Sequence, residues 1–336
     1  MRLVQLVHPQ LGRRVARVEE PHLHVLTATT SIYRLAQDAQ QQDLSLEKLV
    51  GASATEARLD YDAIYSGRSD WRLLPAFDHP EEPSRCLVSG TGLTHTASAK
   101  NRDAMHAAAA PGSAAPLTDS MKMFRSGVEG GRPEPGRVGQ APEWFYKGNG
   151  ASLCAHGEPL LSPPFADDGG EEPEMAGCYF IAPDGTPCRV GLAAGNEFSD
   201  HVREKMNYLY LAESKLRPAG LGPELLVGEL PADIRGRVSI ERDGREIWSA
   251  PVGTGEANMC HSIANIEHHH FKHPQHRRPG DVHVHFFGAD DFSFGSGLRL
   301  ADGDVMVVAW SPLGRALRNP LRVDRTGQSP VKVRAL

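Results

Sequence analysis

The sequence predicts an α+β protein that is mostly β, with a small N-terminal α+β cap over residues 1–80 and a catalytic domain over residues 86–336. Three observations lead there. From Cys86 onward, short alternating runs are separated by Gly-rich turns, the texture of antiparallel hairpins. Before that point, a single alternating run is followed by a helical pattern. Between the two, Pro75 to Pro83 holds three prolines and several acids, the composition of a linker.

In chain order, VARVEEPHLHVL alternates as a strand does, and TSIYRLAQDAQQQDLSLEKLVG reads as one helix, with Thr30 or Ser31 as its cap and Gly51 as its stop. Asp184-Gly185 and Asp243-Gly244 each lie between alternating runs and mark hairpin turns, RVSIERDGREIWSAPVG being the clearest. DVHVHFFG and DGDVMVVAW are two further strands. HAAAAPGSAAPLTDS and SGVEGGRPEPGRVGQ, rich in Ala, Gly and Pro, read as surface loops of the length that often forms lids. No repeat of solenoid period is present.

Bulk composition narrows the function. A chain of 336 residues buries a sizeable core without disulfides or metal. Its 40 % hydrophobic and 23 % charged residues are ordinary for a globular protein, and a net charge of −6 points to neither nucleic acid nor an anionic membrane. No apolar run approaches the roughly 20 residues that span a bilayer. The N-terminus MRLVQLVHPQLGRRVARVEE lacks the continuous apolar centre of a signal peptide, so a cytoplasmic location is expected. Cys86, Cys154, Cys178, Cys188 and Cys260 are odd in number and never spaced Cys-x-x-Cys, which argues for single buried thiols over a disulfide framework or a thiolate zinc site.

The chemistry concentrates in two places. EEPEMAGCY puts Glu171, Glu172 and Glu174 within four positions, ahead of an apolar run. Such a segment is either a solvated loop or a place that needs a cation. If it is extended, Glu172 and Glu174 project from one face. Glu197, in GLAAGNEFSDH, follows an apolar LAA that would deliver it to a strand end. Three carboxylates make a hard oxygen site that suits Mg²⁺ or Mn²⁺ better than Zn²⁺. The rival is HSIANIEHHHFKHPQHRRPGDVHVH, with eight histidines. Three consecutive histidines cannot all face one ion, and the His-Glu-x-x-His spacing of a metalloprotease is absent. His283 and His285 alternate with valines and share a strand face; contact of one such histidine with a substrate stays open.

These motifs, in this order, resemble the fumarylacetoacetate hydrolase superfamily over residues 86–336. EPEM followed by GLAAGNEFSDH is similar to its metal-binding pattern. PEWFYKGNGASLCAHGEPL resembles its substrate-binding phenylalanine–lysine segment, with Lys147 at the lysine. SKLRPAGLGPELL points to Lys215, TGEANMCHS is similar to the segment that closes the pocket, and RRPGDVHVHFFG with LADGDVMVVAWSPLGRALRNPL resembles the paired final strands. The resemblance implies a mixed β-sheet roll with an N-terminal cap, a homodimer, and one Mg²⁺ per subunit (Mn²⁺ being possible) held by Glu172, Glu174 and Glu197.

Two departures bear on function. Where the superfamily's hydrolases carry a catalytic histidine and glutamate, GTGLTHTASAKNRDAMH has Ser98 and Asn101, neither able to deprotonate water. The third ligand is Glu197 in place of the usual aspartate. The stretches GTGLTHTASAKNRDAMH, KMFRSGVEGGRPEPG and HSIANIEHHHFKH resemble a sugar-acid branch of the superfamily, which implies Mg²⁺-dependent dehydration of a 2-keto-3-deoxypentonate to 2,5-dioxopentanoate in pentose catabolism. A hydrolase or decarboxylase of 2,4-diketo acids on the same fold is the alternative, and a non-catalytic sugar-acid binder a further one.

Under the dehydratase reading, Lys215 is expected to shuttle protons with a lowered pKa, or else to bind the substrate carboxylate. His95 is expected either to protonate the departing hydroxyl or to serve as a backbone-bonded loop residue. Glu129, on a Gly-flanked lid, is a candidate base for C3 or simply a loop acid. Lys147, Thr94, Asn196, Thr254 and Asn258 are the expected substrate contacts. The partner is a small 2-keto acid, with neither nucleic acid nor membrane.

Overall fold

Alternation in the N-terminal region builds a meander in which β1 (Arg2–His8), β2 (Gly12–Glu19), β3 (His22–Leu26) and β4 (Thr55–Asp60) pair antiparallel in turn. The structure, a computed structural model, describes residues 1–27, 29–96 and 118–336. Between β3 and β4 lie α1 (Ile32–Gln41) and α2 (Leu46–Ala52); α3 (Tyr61–Tyr65) and β5 (Arg72–Leu73) follow. The one helix expected over α1 and α2 is therefore two. Ser31 caps α1 by accepting from the Arg34 N–H, Asp43 turns left-handed at φ 52°, and Ser45 caps α2 by accepting from the Lys48 N–H. A second cap serine behind a residue tolerant of that conformation restarts the helix on a new axis.

The rest of the chain contributes β6 (Cys86–Gly90), α4 (Asp119–Gly130), β7 (Phe145–Asn149), β8 (Leu153–Cys154), β9 (Leu160–Ser162), β10 (Pro173–Ile181) and β11 (Pro187–Asn196). Then come α5 (His201–Met206), α6 (Leu211–Ser214), β12 (Ala219–Leu226), β13 (Ile234–Arg242), β14 (Arg245–Thr254), α7 (Ile263–Phe271), β15 (Val282–Phe286), β16 (Val305–Trp310) and β17 (Leu317–Val323). Both expected hairpins form. Asp243 and Gly244 have φ of 51° and 72°, the double positive φ of a tight two-residue turn between β13 and β14.

Among the described residues, twelve strands form one sheet in the order β4-β3-β2-β1-β12-β11-β10-β15-β6-β7, with β5 beside β1 and β8 beside β12. Because β8 follows β7 in sequence and pairs with β12, the strands from β12 to β7 curl back on themselves as a roll. A five-stranded sheet, β14-β13-β16-β17-β9, covers one face. β10 is buried along its whole length, as a central strand covered on both faces must be. Its Met175, Tyr179 and Ile181 pack toward the five-stranded sheet with Val238, Val308 and Trp310. Ala176, Cys178 and Phe180 pack with Leu3, Ile32 and Leu35 on the other side.

The N-terminal region has its own cluster of Val4, Leu6, Val25, Tyr61 and Ile64, yet its sheet is continuous with the main one through β1 and β12, where Arg2 faces Leu226. The proline-rich stretch between the regions is anchored. Ala76 and Phe77 are fully buried, and Asp78 accepts from both guanidinium ends of Arg13 at 2.9 and 2.6 Å and from Gln5. Among the described residues no disulfide forms, and Cys86 and Cys178 are buried thiols. No helix among them is long and apolar enough to cross a membrane.

Candidate metal centre and active site

Antiparallel pairing of β10 with β11 sets Pro173 opposite Asn196, so Glu172, Glu174 and Glu197 converge at one end of the two central strands. The Glu197 N–H donates to Glu172 O at 2.9 Å and extends the ladder one step past the strands. Each acid offers one carboxylate oxygen within 4.8 Å of the others, and all three are buried; they are the one such group among the described residues. Glu171 faces away. Its oxygens accept from the Ser293 N–H at 2.7 Å and the Ser293 hydroxyl at 2.9 Å, which accounts for the third acid of the motif without a cation.

Two lysines reach the cluster. Lys215 Nζ donates to Glu172 Oε1 at 2.5 Å, Glu197 Oε2 at 2.7 Å and Ser199 Oγ at 3.0 Å. Lys147 Nζ pairs with Glu197 Oε1 and donates to Phe198 O at 2.6 Å. Burial alone would neutralise Lys215, but Glu172, Glu197 and Glu204 outweigh it and hold the ammonium well above its ordinary range. That corrects the expectation of a lowered pKa, and the reason is three carboxylates around one buried nitrogen. The lowering falls instead on Lys147, where burial dominates and Lys215 adds repulsion.

The three acids answer these charges unequally. Burial pushes Glu172 up, but Lys215 and His201 more than reverse it and hold it low. Burial, then Glu197 and Glu172, push Glu174 well above the carboxylate range; its Oε2 accepts the Gly288 N–H at 2.6 Å. Lys215 bridges Glu172 and Glu197, and among the described residues no cation pairs with Glu174, which therefore keeps its proton in this buried place. Hard oxygens, burial and a missing positive charge fit a divalent ion such as Mg²⁺.

Around this centre the structure brings together most of the other expected residues. Thr94 donates to Phe287 O at 2.6 Å, so it accepts from His95 Nδ1–H at 2.8 Å, leaving His95 Nε2 to accept from Thr254 Oγ1 at 3.3 Å. Burial lowers His95 to about 4, which corrects the expectation that this ring changes charge near neutrality. Gly288 links this group to the acids. Its φ is 96°, and a Cβ there would lie 2.0 Å from Thr94 Oγ1, so only glycine holds both the loop and Glu174. Asn196 accepts from the Glu172 N–H at 3.3 Å, and Asn258 donates to Asp233 and to Thr254 O. Glu129 is not brought in: it is exposed in the last turn of α4, a helix where a flexible lid was expected. Ser98 and Asn101 lie outside the described residues.

Two further residues lie inside the quoted stretches but were given no role there. His201 donates from Nε2 to Glu172 Oε1 at 3.1 Å. Glu143 is buried and accepts from the Tyr208 hydroxyl at 2.8 Å. Glu143, Phe145 and Lys147 are buried while Trp144 and Tyr146 are exposed, so the three share one face, and Phe145 underlies Lys215 Nζ at 4.8 Å. A period of two in PEWFYKG was the available signal for Glu143, and the place of His201 at the end of GLAAGNEFSDH, four residues after Glu197, was the signal for it.

A roll of this order with a carboxylate trio at the end of its central strands has the fumarylacetoacetate hydrolase-type fold. Solved structures match the chain throughout. A 2-keto-3-deoxy-D-arabinonate dehydratase complexed with magnesium and 2,5-dioxopentanoate superposes with a TM-score of 0.70 at 17 % identity, covering 97 % of this chain and 100 % of that one. A fumarylacetoacetate hydrolase from Exiguobacterium antarcticum gives 0.57 at 16 % identity, over 96 % and 100 %. A 2-hydroxyhepta-2,4-diene-1,7-dioate isomerase from Mycobacterium marinum gives 0.57 at 16 %, over 97 % and 100 %. No family model and no curated protein sequence matches the chain.

Proposed function

We propose that this protein is a fumarylacetoacetate hydrolase superfamily enzyme that removes water from a 2-keto-3-deoxypentonate to give 2,5-dioxopentanoate. The observation that carries this is the buried carboxylate trio, in which burial and the two neighbouring acids push Glu174 up for want of a cation. The full-length fold likeness to a dehydratase of such a substrate supports it, as does the absence of a hydrolytic His and Glu at positions 98 and 101. Glu172, Glu174 and Glu197 would hold Mg²⁺, with Mn²⁺ suited to the same donors. When bound, the ion supplies Lewis-acid polarisation of the 2-keto group and makes the C3 hydrogens acidic.

Lys215, fixed between Glu172 and Glu197, is a permanent counter-charge that orients the acids. Lys147 Nζ, lowered by burial and facing Glu197, takes the proton from C3. Glu143 and Tyr208, at the outer end of the face that carries Lys147, return a proton to the C4 oxygen, which leaves as water. A proton shift from C5 to C3 then gives the C4=C5 enol, and transfer of its hydroxyl proton to C4 gives the aldehyde, so that one water is lost overall. His95 stays neutral and fixes the Thr94 and Thr254 hydroxyls as substrate contacts.

The protein is proposed to act as a cytoplasmic homodimer. Leu161, Phe165 and Leu216, each 44–50 % exposed, line one depression of about 390 Å³ with Lys147 among its walls, an apolar face suited to burial against a second copy. Purified protein incubated with each C4 epimer of 2-keto-3-deoxypentonate and Mg²⁺ should yield an aldehyde that an NADP-linked semialdehyde dehydrogenase oxidises. No aldehyde from either epimer would remove the reading. Pyruvate released from an acylpyruvate would favour the 2,4-diketo acid alternative, and ligand-induced stabilisation without turnover a binder.

A further inference from the structure

We infer that His201 is a positioning residue of the metal centre: it engages one oxygen of Glu172 and thereby reserves the other for the ion. This rests on the proposed metal centre. His201 is 3 % exposed at the start of α5, and its ring lies flat on Phe292, with centroids 4.7 Å apart and planes 13° from parallel. Phe294 closes a second side at 5.1 Å. So held, the ring aims Nε2 at Glu172 Oε1, 3.1 Å away, while Nδ1 stands 3.9 Å from Asp168 Oδ2. Lys215 donates to the same Oε1. Two donors on one oxygen fix the carboxylate's rotation and leave Oε2 as the ligand atom.

The surrounding backbone is shaped for this ring. Gly170 pairs with Ser199 through reciprocal N–H···O bonds of 3.0 Å, and a Cβ on Gly170 would come 2.7 Å from His201 Nδ1. Only glycine leaves the imidazole its place. The stretch that carries Phe292 also holds Glu171 through Ser293, so one segment secures the ring and the acid beside its target.

The test is calorimetric titration of the metal-free full chain with Mg²⁺, using wild type, His201→Phe, His201→Gln and Gly170→Ala, with circular dichroism to show that each is folded. Phe keeps the stack and loses the donor; Gln restores a donor near the Nε2 position; Gly170→Ala keeps the imidazole and displaces it. Affinity should fall 10–100-fold in His201→Phe and Gly170→Ala, the range for outer-shell partners of metal ligands, and recover in His201→Gln. His201→Phe or Gly170→Ala binding within about threefold of a wild type that binds would overturn the positioning role alone. A wild type that binds no Mg²⁺ would overturn the metal centre and this role together.

Discussion

Two dense groups of ionisable side chains lie in this fold, and they do opposite things. The histidines look the richer site in the sequence. In the structure Trp144 donates to His270 Nδ1 at 3.1 Å, His270 Nε2 faces His283 Nδ1 at 2.9 Å, and His276 Nδ1 bonds to His270 O at 2.7 Å. His285 is bracketed by Ser89 at 2.8 Å and Thr91 at 2.7 Å. Burial pushes His283 and His285 down to about 3 and His270 lower still, helped by the neighbouring rings. The result is a core of mutually bonded imidazoles, and among the described residues no three of them meet as a metal site. The acids are fewer and unsatisfied. Unmet charge, more than the density of ionisable groups, marks the working site.

Removing an acid should give the largest effect. Glu174→Gln should abolish both the thermal stabilisation by Mg²⁺ and the formation of aldehyde, exceeding the 10–100-fold typical of outer-shell changes. Without metal the same variant should melt above the metal-free wild type, because the cost of keeping a raised, buried carboxyl group beside Glu172 and Glu197 has gone. Thermal scans with and without Mg²⁺ measure both, and a retained Mg²⁺ shift would erase the contrast between the two groups.

Their pH dependence should differ in sign. His95, His156 and His261 sit at about 4 and His283 and His285 at about 3, all lowered chiefly by burial. The unfolded chain therefore takes up protons below about pH 6.5 that the native chain refuses, and stability falls with acidification from there toward 4, by about 1.4 kcal/mol per pH unit per fully buried ring. Glu174 runs the other way. Its raised pKa makes the metal-free protein lose stability as pH rises above the ordinary carboxylate value, and Mg²⁺ should remove that part of the slope. Urea unfolding between pH 5 and 8, with and without Mg²⁺, separates the two.

Smaller effects sharpen the contrast. His283→Leu leaves His270 Nε2–H without its acceptor and should cost about 1–3 kcal/mol of stability with Mg²⁺ affinity unchanged. Altered Mg²⁺ binding in that variant would mean the histidines serve the site after all. Glu129→Gln, on an exposed turn of α4, should shift stability by less than about 0.5 kcal/mol and leave turnover alone, as a steady-state assay would show.

Much of the frame was legible in the sequence because it is local. A period of two aligned Glu172 with Glu174, LAA led Glu197 to a strand end, and Asp-Gly pairs marked both hairpins. The single helix failed on a local detail too, since Ser45 is as good a cap as Ser31. What stayed hidden is long-range. Lys215 reaches a carboxylate 43 residues away and His201 one 29 away, and no pattern along the chain encodes which buried nitrogen meets which oxygen. The Lys215 charge state depended on that meeting, so burial alone gave it the wrong direction.

A crystal grown with Mn²⁺ and measured for anomalous scattering is the most direct test. A peak bonded to the side chains of Glu172, Glu174 and Glu197 is the result expected; Mn²⁺ bound among the histidines instead, or no ion within reach of those three carboxylates, would contradict it.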